Sequence, residues 1–458
     1  MTRNFRSILT SETLARMAIA AFFAAIALSI WTANNRCLNE KGRLIRCSSS
    51  VVSGDEPHYM LVVNSILFDH DLALGRDYAA AAAGGQQAGG GFSSQPLDHH
   101  TFIYDPRTGV SVLWAEVYDF SHPVRENGRL IGFSRSGKPS PDPTHALERS
   151  SHPVGFPALM AGFVALLRPT PATSERDFNW VQQFLTFLGV LLTFLLCRQA
   201  QLGRAASLLA AFTLLFASPW LAYSRSYFAE TMLGVLLALG AYAWLGRRPV
   251  LAAVPIALSM WIKPQYGIIA GIWFWERIWA KDRRAALSLA IVIGVNLLGI
   301  IAFDKWLVGR WLVSGNWVGW EWARGLYGFH TQFFEAEHGL LVFVPWVIFG
   351  LIWISSRAFS PGPENFTARS LGLPLILYAV MLSMQPYGGG WSYGPRYWVC
   401  MLPWLTVASF MILKQATWFP RTLFVLLVAV AMYTTAIPAT LRYPWIFHTP
   451  VSASWPRG

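Results

Sequence analysis

The sequence predicts an all-α polytopic membrane protein, and three observations carry that prediction. Of the 458 residues, 54% are hydrophobic and only 13% are charged, too few to solvate the surface of a soluble domain. The apolar residues arrive in blocks of roughly 15 to 23, long enough for a helix to cross a hydrocarbon core of about 30 Å. The 27 prolines and 22 tryptophans suit broken helices and aromatic anchors at the membrane surface. A formal charge of +12 does not mark a nucleic-acid binder, because Lys and Arg sit in short clusters between apolar blocks and not on one basic face.

The N-terminus is basic, with Arg3, Arg6 and Arg16, and leads into an apolar run from Met17 to Trp31. No small-x-small cleavage site follows, so this run is read as a retained first span. Residues 34–152 are too long for a connector and form a first loop with amphipathic juxtamembrane helices. Within it, Glu56 to Phe68 reads as such a helix, with Pro57 in its first turn, and Ala79 to Gly91 as a flexible low-complexity loop. Cys37 and Cys47 flank a short polar segment and would bridge in an oxidising compartment, whereas Cys197 and Cys400 fall in apolar runs as packed thiols.

Topology turns on residues 153–168, whose apolar core of about 15 residues is short for a span. If this segment crossed, Arg198 with Arg204, Arg247 with Arg248, and Lys281 with Arg283 and Arg284 would all face outward, against the positive-inside tendency. It is therefore read as an interfacial helix. Spans then fall at 17–33, 179–197, 205–223, 230–246, 249–262, 266–279, 285–306, 339–356, 370–385, 397–413 and 422–440, about eleven helices. The N-terminus is inside, and the loops at 34–152, 307–338 and 386–396 share the outer face.

That parity gathers the chemically interesting residues on one side. Asp55 and Glu56 follow the first span; Asp55 alone would be explained as a helix cap, but the pair also offers a carboxylate to accept a proton. S-R-S-Y-F-A-E-T brings Arg225 and Glu230 to outer helix ends, and W-I-K-P-Q-Y puts Lys263 where no positive-inside preference asks for it. G-G-G-W-S-Y-G-P-R-Y offers Trp391 and Tyr393 as stacking surfaces and Arg396 as a fork for phosphate. His338 could add a hydrogen bond, and Asp98, His99 and His100 form an acid-histidine cluster better read as a solvated loop than as a metal site. There is no Walker loop, G-x-S-x-G elbow or close-spaced zinc motif.

Together, G-D-E-P-H-Y-M-L, H-P-V-G-F-P-A-L, S-R-S-Y-F-A-E, H-G-L-L-V-F-V-P-W and G-G-W-S-Y-G-P-R-Y resemble a bacterial membrane glycosyltransferase of the GT-C superfamily. The layout is similar to the protein O-mannosyltransferase and aminoarabinose transferase branch. The resemblance implies a GT-C fold in the inner (cytoplasmic) membrane, with a cytoplasmic N-terminus and a periplasmic active site. It also implies a polyprenyl-phosphate sugar as donor, a cell-envelope glycan, lipid or protein as acceptor, and inversion at the anomeric carbon. By the same resemblance Asp55 is the general base, supported by Glu56. Lys263 and Arg396 would neutralise the departing lipid phosphate, and Glu230 matches a second acid of relatives. From the residues themselves, Arg225 is assigned to the donor phosphate as well, and Glu230, His58, Tyr59, His338, Trp391 and Tyr393 to substrate binding. No cofactor is required, although the acid pair could ligate a divalent metal that some relatives use. Two other readings compete: a transporter or flippase of lipid-linked saccharides, whose charges would line a path near the bilayer midplane, and a non-catalytic assembly subunit, whose conspicuous charges would lie far apart.

Overall fold

The computed structural model describes residues 11–35, 37–38, 44–45, 55–82, 99–126, 129–136, 141, 145–311, 325–360, 362, 365–385 and 392–441. The chain opens with α1 (Ser11–Asn35), then β1 (Cys37–Leu38) paired antiparallel with β2 (Leu44–Ile45). Cys47 lies outside the described residues, as does the low-complexity stretch beyond Ala82. The first loop continues with α2 (Glu56–Asn64), a π turn over Ser65–Asp69, α3 (Gly75–Ala82), β3 (Thr101–Asp105), β4 (Val110–Leu113), α4 (Trp114–Val117), β5 (Tyr118–Glu126), β6 (Arg129–Arg135) and β7 (Leu147–Ser150).

Three expectations are corrected in this loop. It is not all helical: β4, β3 and β7 form a three-stranded sheet and β5 pairs with β6 as a hairpin. These runs are short and separated by turn residues, so no apolar block announced them. Ala79 to Ala82 end α3 and are not loop, as expected of an alanine run continuing a helix. The helix starting at Glu56 is not amphipathic, because every residue of α2 is buried: Tyr59, Met60 and Val63 join the main core, and Leu61 and Val62 a second cluster with Phe102 of β3.

From α5 (Gly155–Ala165) onward the chain is helical. There follow α6 (Ser174–Gln199), α7 (Arg204–Phe216), α8 (Trp220–Tyr223), α9 (Glu230–Leu245), α10 (Pro249–Ile262), a 3-10 turn at Pro264–Tyr266, α11 (Gly267–Trp279) and α12 (Arg283–Val308). The remainder is α13 (Gly325–Phe334), α14 (Leu340–Phe343), α15 (Ile348–Arg357), α16 (Phe366–Ser383), α17 (Arg396–Val399), α18 (Leu402–Leu413), α19 (Trp418–Thr434) and α20 (Ala436–Leu441). α5, with 11 residues, is about 16 Å long, roughly half a hydrocarbon core. The segment between α12 and α14, expected to be loop, contains α13.

Five stretches among the described residues are long and apolar enough to cross a membrane by themselves: 12–34, 174–199, 283–308, 366–383 and 418–439. Several other apolar runs are interrupted. The run at 205–223 breaks after Phe216 and resumes at α8, and that at 397–413 breaks between α17 and α18, next to Pro403. The chain is thus a multi-pass membrane protein of mostly helical build. α12 exposes Leu287, Ile291, Val295 and Leu298 at helical spacing, a lipid-facing stripe with no polar group to hydrate.

α9 runs through the centre, packed on α6 and α10. Trp220 fits this packing because its ring occupies a slot made by two glycines; a Cβ at Gly189 or Gly234 would lie 2.3 or 2.5 Å from it. Trp244, Trp273 and Trp404 stack in sequence at 4.7 and 6.1 Å below that level. The helix ends above this aromatic core carry the polar cluster.

Candidate active site

Four of the sequence-selected residues join in one chain of contacts. Arg396 Nη2 donates to Asp55 Oδ2 at 2.6 Å and its Nε donates to Glu230 Oε1 at 3.0 Å. Lys263 Nζ donates to the same Glu230 oxygen at 2.7 Å. Glu230 and Arg396 are buried, and the Lys263 side chain is nearly so. Two acids alternate with two cations, which is how ionised groups tolerate burial. The assembly-subunit reading expected these residues to lie apart; they are in contact.

Local sequence explains each placement. Glu230 is the first residue of α9, where unpaired N–H groups favour an acid. Lys263 precedes Pro264, which forces it out of the helix into an extended conformation at φ −148°. Arg396 follows Gly394 in a tight turn: Gly394 has φ +62°, and the Arg396 N–H donates to its carbonyl at 2.8 Å. The Arg396 guanidinium lies 3.8 Å from the Phe228 ring centre, holding the fork flat.

The acid pair divides its labour. Asp55 sits at the helix start but makes no side-chain cap; its carboxylate goes to Arg396 instead. Burial alone would raise its pKa, but Arg396, then His152 and His100, overcome this and hold it well below the ordinary carboxylate range. Glu56 is buried and accepts the Tyr227 N–H at 2.7 Å, tying α2 to the irregular turn ahead of α9. The same turn is held by Gln182 Nε2 on the Ser226 and Phe228 carbonyls and by Asn34 on Ser224. Buried non-helical backbone needs such partners. Arg225 is buried in this turn.

A histidine group completes the site from the loop sheet. Thr101 in β3 pairs with Ser150 in β7, so the residue before one strand lies beside the residues after the other. His100 Nδ1 therefore comes within 2.9 Å of His152 Nε2, and these atoms lie 3.9 and 3.7 Å from Asp55 Oδ1. His58 stacks on His100 at 3.7 Å and bonds Tyr78, while Tyr59 packs beside His152. Burial drives the His152 imidazole down to about 4 despite the Asp55 charge, and it holds His58 low as well. Both rings are neutral at pH 7.

Among the described residues, Asp55, His100 and His152 bring one ligand atom each within 4.8 Å of one another. A carboxylate and two neutral imidazoles suit a borderline divalent ion such as zinc or manganese. Of the residues considered for a metal, Asp55 and His100 belong to this group, whereas Glu56 accepts from the Tyr227 N–H and His100 approaches His152 and not its sequence neighbours. His99 instead bonds Glu148 at 2.8 Å, and Asp98 lies outside the described residues. His152 was missed as a ligand; its signal, a histidine at the end of the loop, needed the β3–β7 pairing to acquire meaning.

Tyr393 is buried, its hydroxyl donating to the Thr434 carbonyl and its ring perpendicular to that of Phe343, so it presents no open stacking face. His338 neighbours Glu335 at 3.7 Å. Trp391 lies outside the described residues.

No protein-family model and no curated protein sequence matches the chain. Its fold does match solved structures. One is ArnT from Cupriavidus metallidurans bound to undecaprenyl phosphate, with TM-score 0.53, 13% identity, 95% of this chain covered and 67% of that one. Another is the oligosaccharyltransferase from Archaeoglobus fulgidus tethered to an acceptor peptide, with TM-score 0.51, 12% identity, 92% of this chain covered and 54% of that one. The chain thus spans about two thirds and about half of their lengths. At these identities what the chain shares with both is the overall fold.

Proposed function

We propose that this protein transfers a sugar from a polyprenyl-phosphate donor to a hydroxyl acceptor of the cell envelope, with inversion at the anomeric carbon. The observation that carries the reading is the chain Asp55–Arg396–Glu230–Lys263, which puts a candidate base within one hydrogen bond of a phosphate-binding guanidinium. In the reaction, the acceptor O–H gives its proton to Asp55 while its oxygen bonds to the anomeric carbon. The bond from that carbon to the lipid phosphate breaks, and the departing phosphate keeps the electron pair. Arg396 and Lys263 neutralise the charge developing there.

The resting contacts imply an order. Asp55 is a weak base while Arg396 holds Oδ2; a donor phosphate that draws Arg396 toward itself releases that oxygen for the acceptor proton. Donor binding therefore arms the base. Glu230 keeps Arg396 and Lys263 aligned throughout, since both donate to one oxygen. Arg225 assists at the phosphate, Glu56 fixes α2, and His58 and Tyr59 line the acceptor side. A divalent ion held by Asp55, His100 and His152 would polarise the acceptor hydroxyl.

An apolar cavity of about 380 Å³ supports the lipid assignment. It is lined by Leu326, Phe329, Leu375 and Trp398, two residues beyond Arg396, and suits a polyprenyl tail whose phosphate reaches the guanidinium. The topology follows the basic clusters: Arg247, Arg283 and Arg284 lie at helix ends opposite Glu230, so the site faces the periplasm of a cytoplasmic-membrane protein with eleven crossings and a cytoplasmic N-terminus. A transporter reading fits less well, because Asp55, Arg396, Glu230 and Lys263 are joined at one end of α9 and do not line a path along it.

The test is incubation of purified protein with a panel of polyprenyl-phosphate sugars and envelope acceptors, with products read by mass spectrometry. Asp55→Asn should lose at least about a hundredfold in transfer, the usual range for a general base, while inserting and folding normally. Wild-type turnover in that variant removes Asp55 from the chemistry.

A further inference from the structure

The bundle carries a second concentration of positive charge, at the end away from Asp55. Glu230 begins α9 and Arg247 lies just past its last residue, so the two are separated by about 24 Å of helix. There, Arg247, Glu276, Arg277, Phe366 and Arg369 line a cavity of about 430 Å³ between the ends of α11 and α16.

Arg277 is the unusual member. The residue is 7% exposed, yet its Nε and Nη2 have no hydrogen-bond partner among the described residues. Its remaining nitrogen only approaches Asp282, at 3.9 Å. The guanidinium plane is fixed by Trp244, 4.2 Å away. Buried cation donors without acceptors are costly, and two adjacent free N–H groups are the geometry that grips two oxygens of a phosphate.

The other arginines face the same space with their planes already set. Arg247 lies over Phe366 at 4.8 Å, held out at a left-handed turn with φ +57°. Arg369 donates from Nη1 to the Ser360 and Gly362 carbonyls and has its Nε 3.8 Å from Glu276. Glu276 is the single acid in the lining, and its carboxylate is engaged by Ser370 and Trp244. Three guanidiniums against one carboxylate leave a net positive cavity, and the mouth is flanked by the exposed rings of Trp279 and Phe359.

We propose that this cavity binds the phosphate of an anionic phosphate ester, gripped by the free fork of Arg277 and flanked by Arg247 and Arg369. The chemistry is shared by an anionic lipid headgroup and a soluble phosphate, and the experiment separates them. Full-length protein in mild detergent is examined by native mass spectrometry with phosphatidylglycerol or phosphatidylcholine, and by thermal shift with inorganic phosphate. Arg277→Gln and, because that side chain is buried, the double variant Arg247→Gln with Arg369→Gln are compared with wild type. Arg421→Gln, at an exposed position of α19, reports general attraction to the surface.

Wild type should retain phosphatidylglycerol over phosphatidylcholine, and both cavity variants should lose about tenfold in that retention, the effect of one charge-assisted contact. Arg421→Gln should not. A thermal shift by inorganic phosphate that vanishes in the cavity variants assigns the site to a soluble phosphate. Equal retention of both lipids, together with no phosphate shift, overturns the proposal, as does a loss in Arg421→Gln equal to that of the cavity variants.

Discussion

Glu230→Gln tests the charge chain at its centre. Glu230 is fully buried and one of its oxygens receives both Arg396 Nε and Lys263 Nζ. Gln keeps the shape and an acceptor but removes the charge, leaving two cations facing each other across a neutral amide. Removing one partner of a buried ion pair costs about 3–5 kcal/mol, and the retained acceptor puts this change near the lower end, about 3 kcal/mol. For a chain of 458 residues that is a fall in Tm of about 3 °C. The same change should strengthen binding of the donor phosphate, since Lys263 has lost its counter-charge and Arg396 keeps only Asp55; 1.4 kcal/mol of that surplus would lower KM for the donor about tenfold. Turnover should fall, because Arg396 is no longer aligned. Thermal unfolding in detergent and donor titration of transfer measure the two effects, whose opposite signs distinguish the variant from a merely damaged protein. Wild-type Tm with wild-type KM would refute the reasoning.

Further predictions concern the loop and the site's supports. Asp77 in α3 is buried with Oδ2 unbonded among the described residues, and burial, then Asp69 and Asp71, raise its carboxyl to about 7. The folded group keeps its proton to higher pH than the unfolded one at about 3.9, so its stability is present at pH 4 and lost as pH climbs toward 7. Asp77→Asn should leave Tm unchanged near pH 4 and stabilise at pH 8 by about 2 kcal/mol, half the full conversion because Asp69 is exposed and screened; an equal gain at both pH values refutes this. Zinc or manganese added after chelation should bind wild type by calorimetry and bind His152→Ala at least about tenfold more weakly; equal binding excludes Asp55, His100 and His152 as ligands. Gly394→Ala should cost about 1–2 kcal/mol in thermal unfolding, from its φ of +62° and a Cβ 3.1 Å from the Phe343 ring; no loss would mean the turn does not need glycine.

The polar residues of the site were conspicuous in the sequence because an apolar chain gives charge few places to hide. Lys263 stood out at a helix end, and the structure joins it to Glu230 33 positions away. What the pattern did not contain was the division within the acid pair. Adjacent residues at a helix start point in different directions, and only the surroundings decide that Asp55 meets Arg396 while Glu56 meets the Tyr227 backbone. The aromatic residues were harder still. Tyr393 looked like a stacking surface, yet its hydroxyl and ring serve the packing between α14 and α19; the sequence of a turn does not distinguish a ring facing a ligand from one facing a neighbour.

By itself the sequence determined the membrane character, the runs that become helices and the conspicuous acids and cations at their ends. These are consequences of local composition, since a block of apolar residues lowers its free energy in lipid whatever it packs against. The tertiary structure alone decided the partners. Asp55 and Arg396 are 341 positions apart, and His100 meets His152 because β3 pairs with β7 in a sheet no apolar periodicity foretold. Pairing across such separations depends on how helices rotate and where they break as they pack, and those choices are made by side-chain fit among elements distant in the chain.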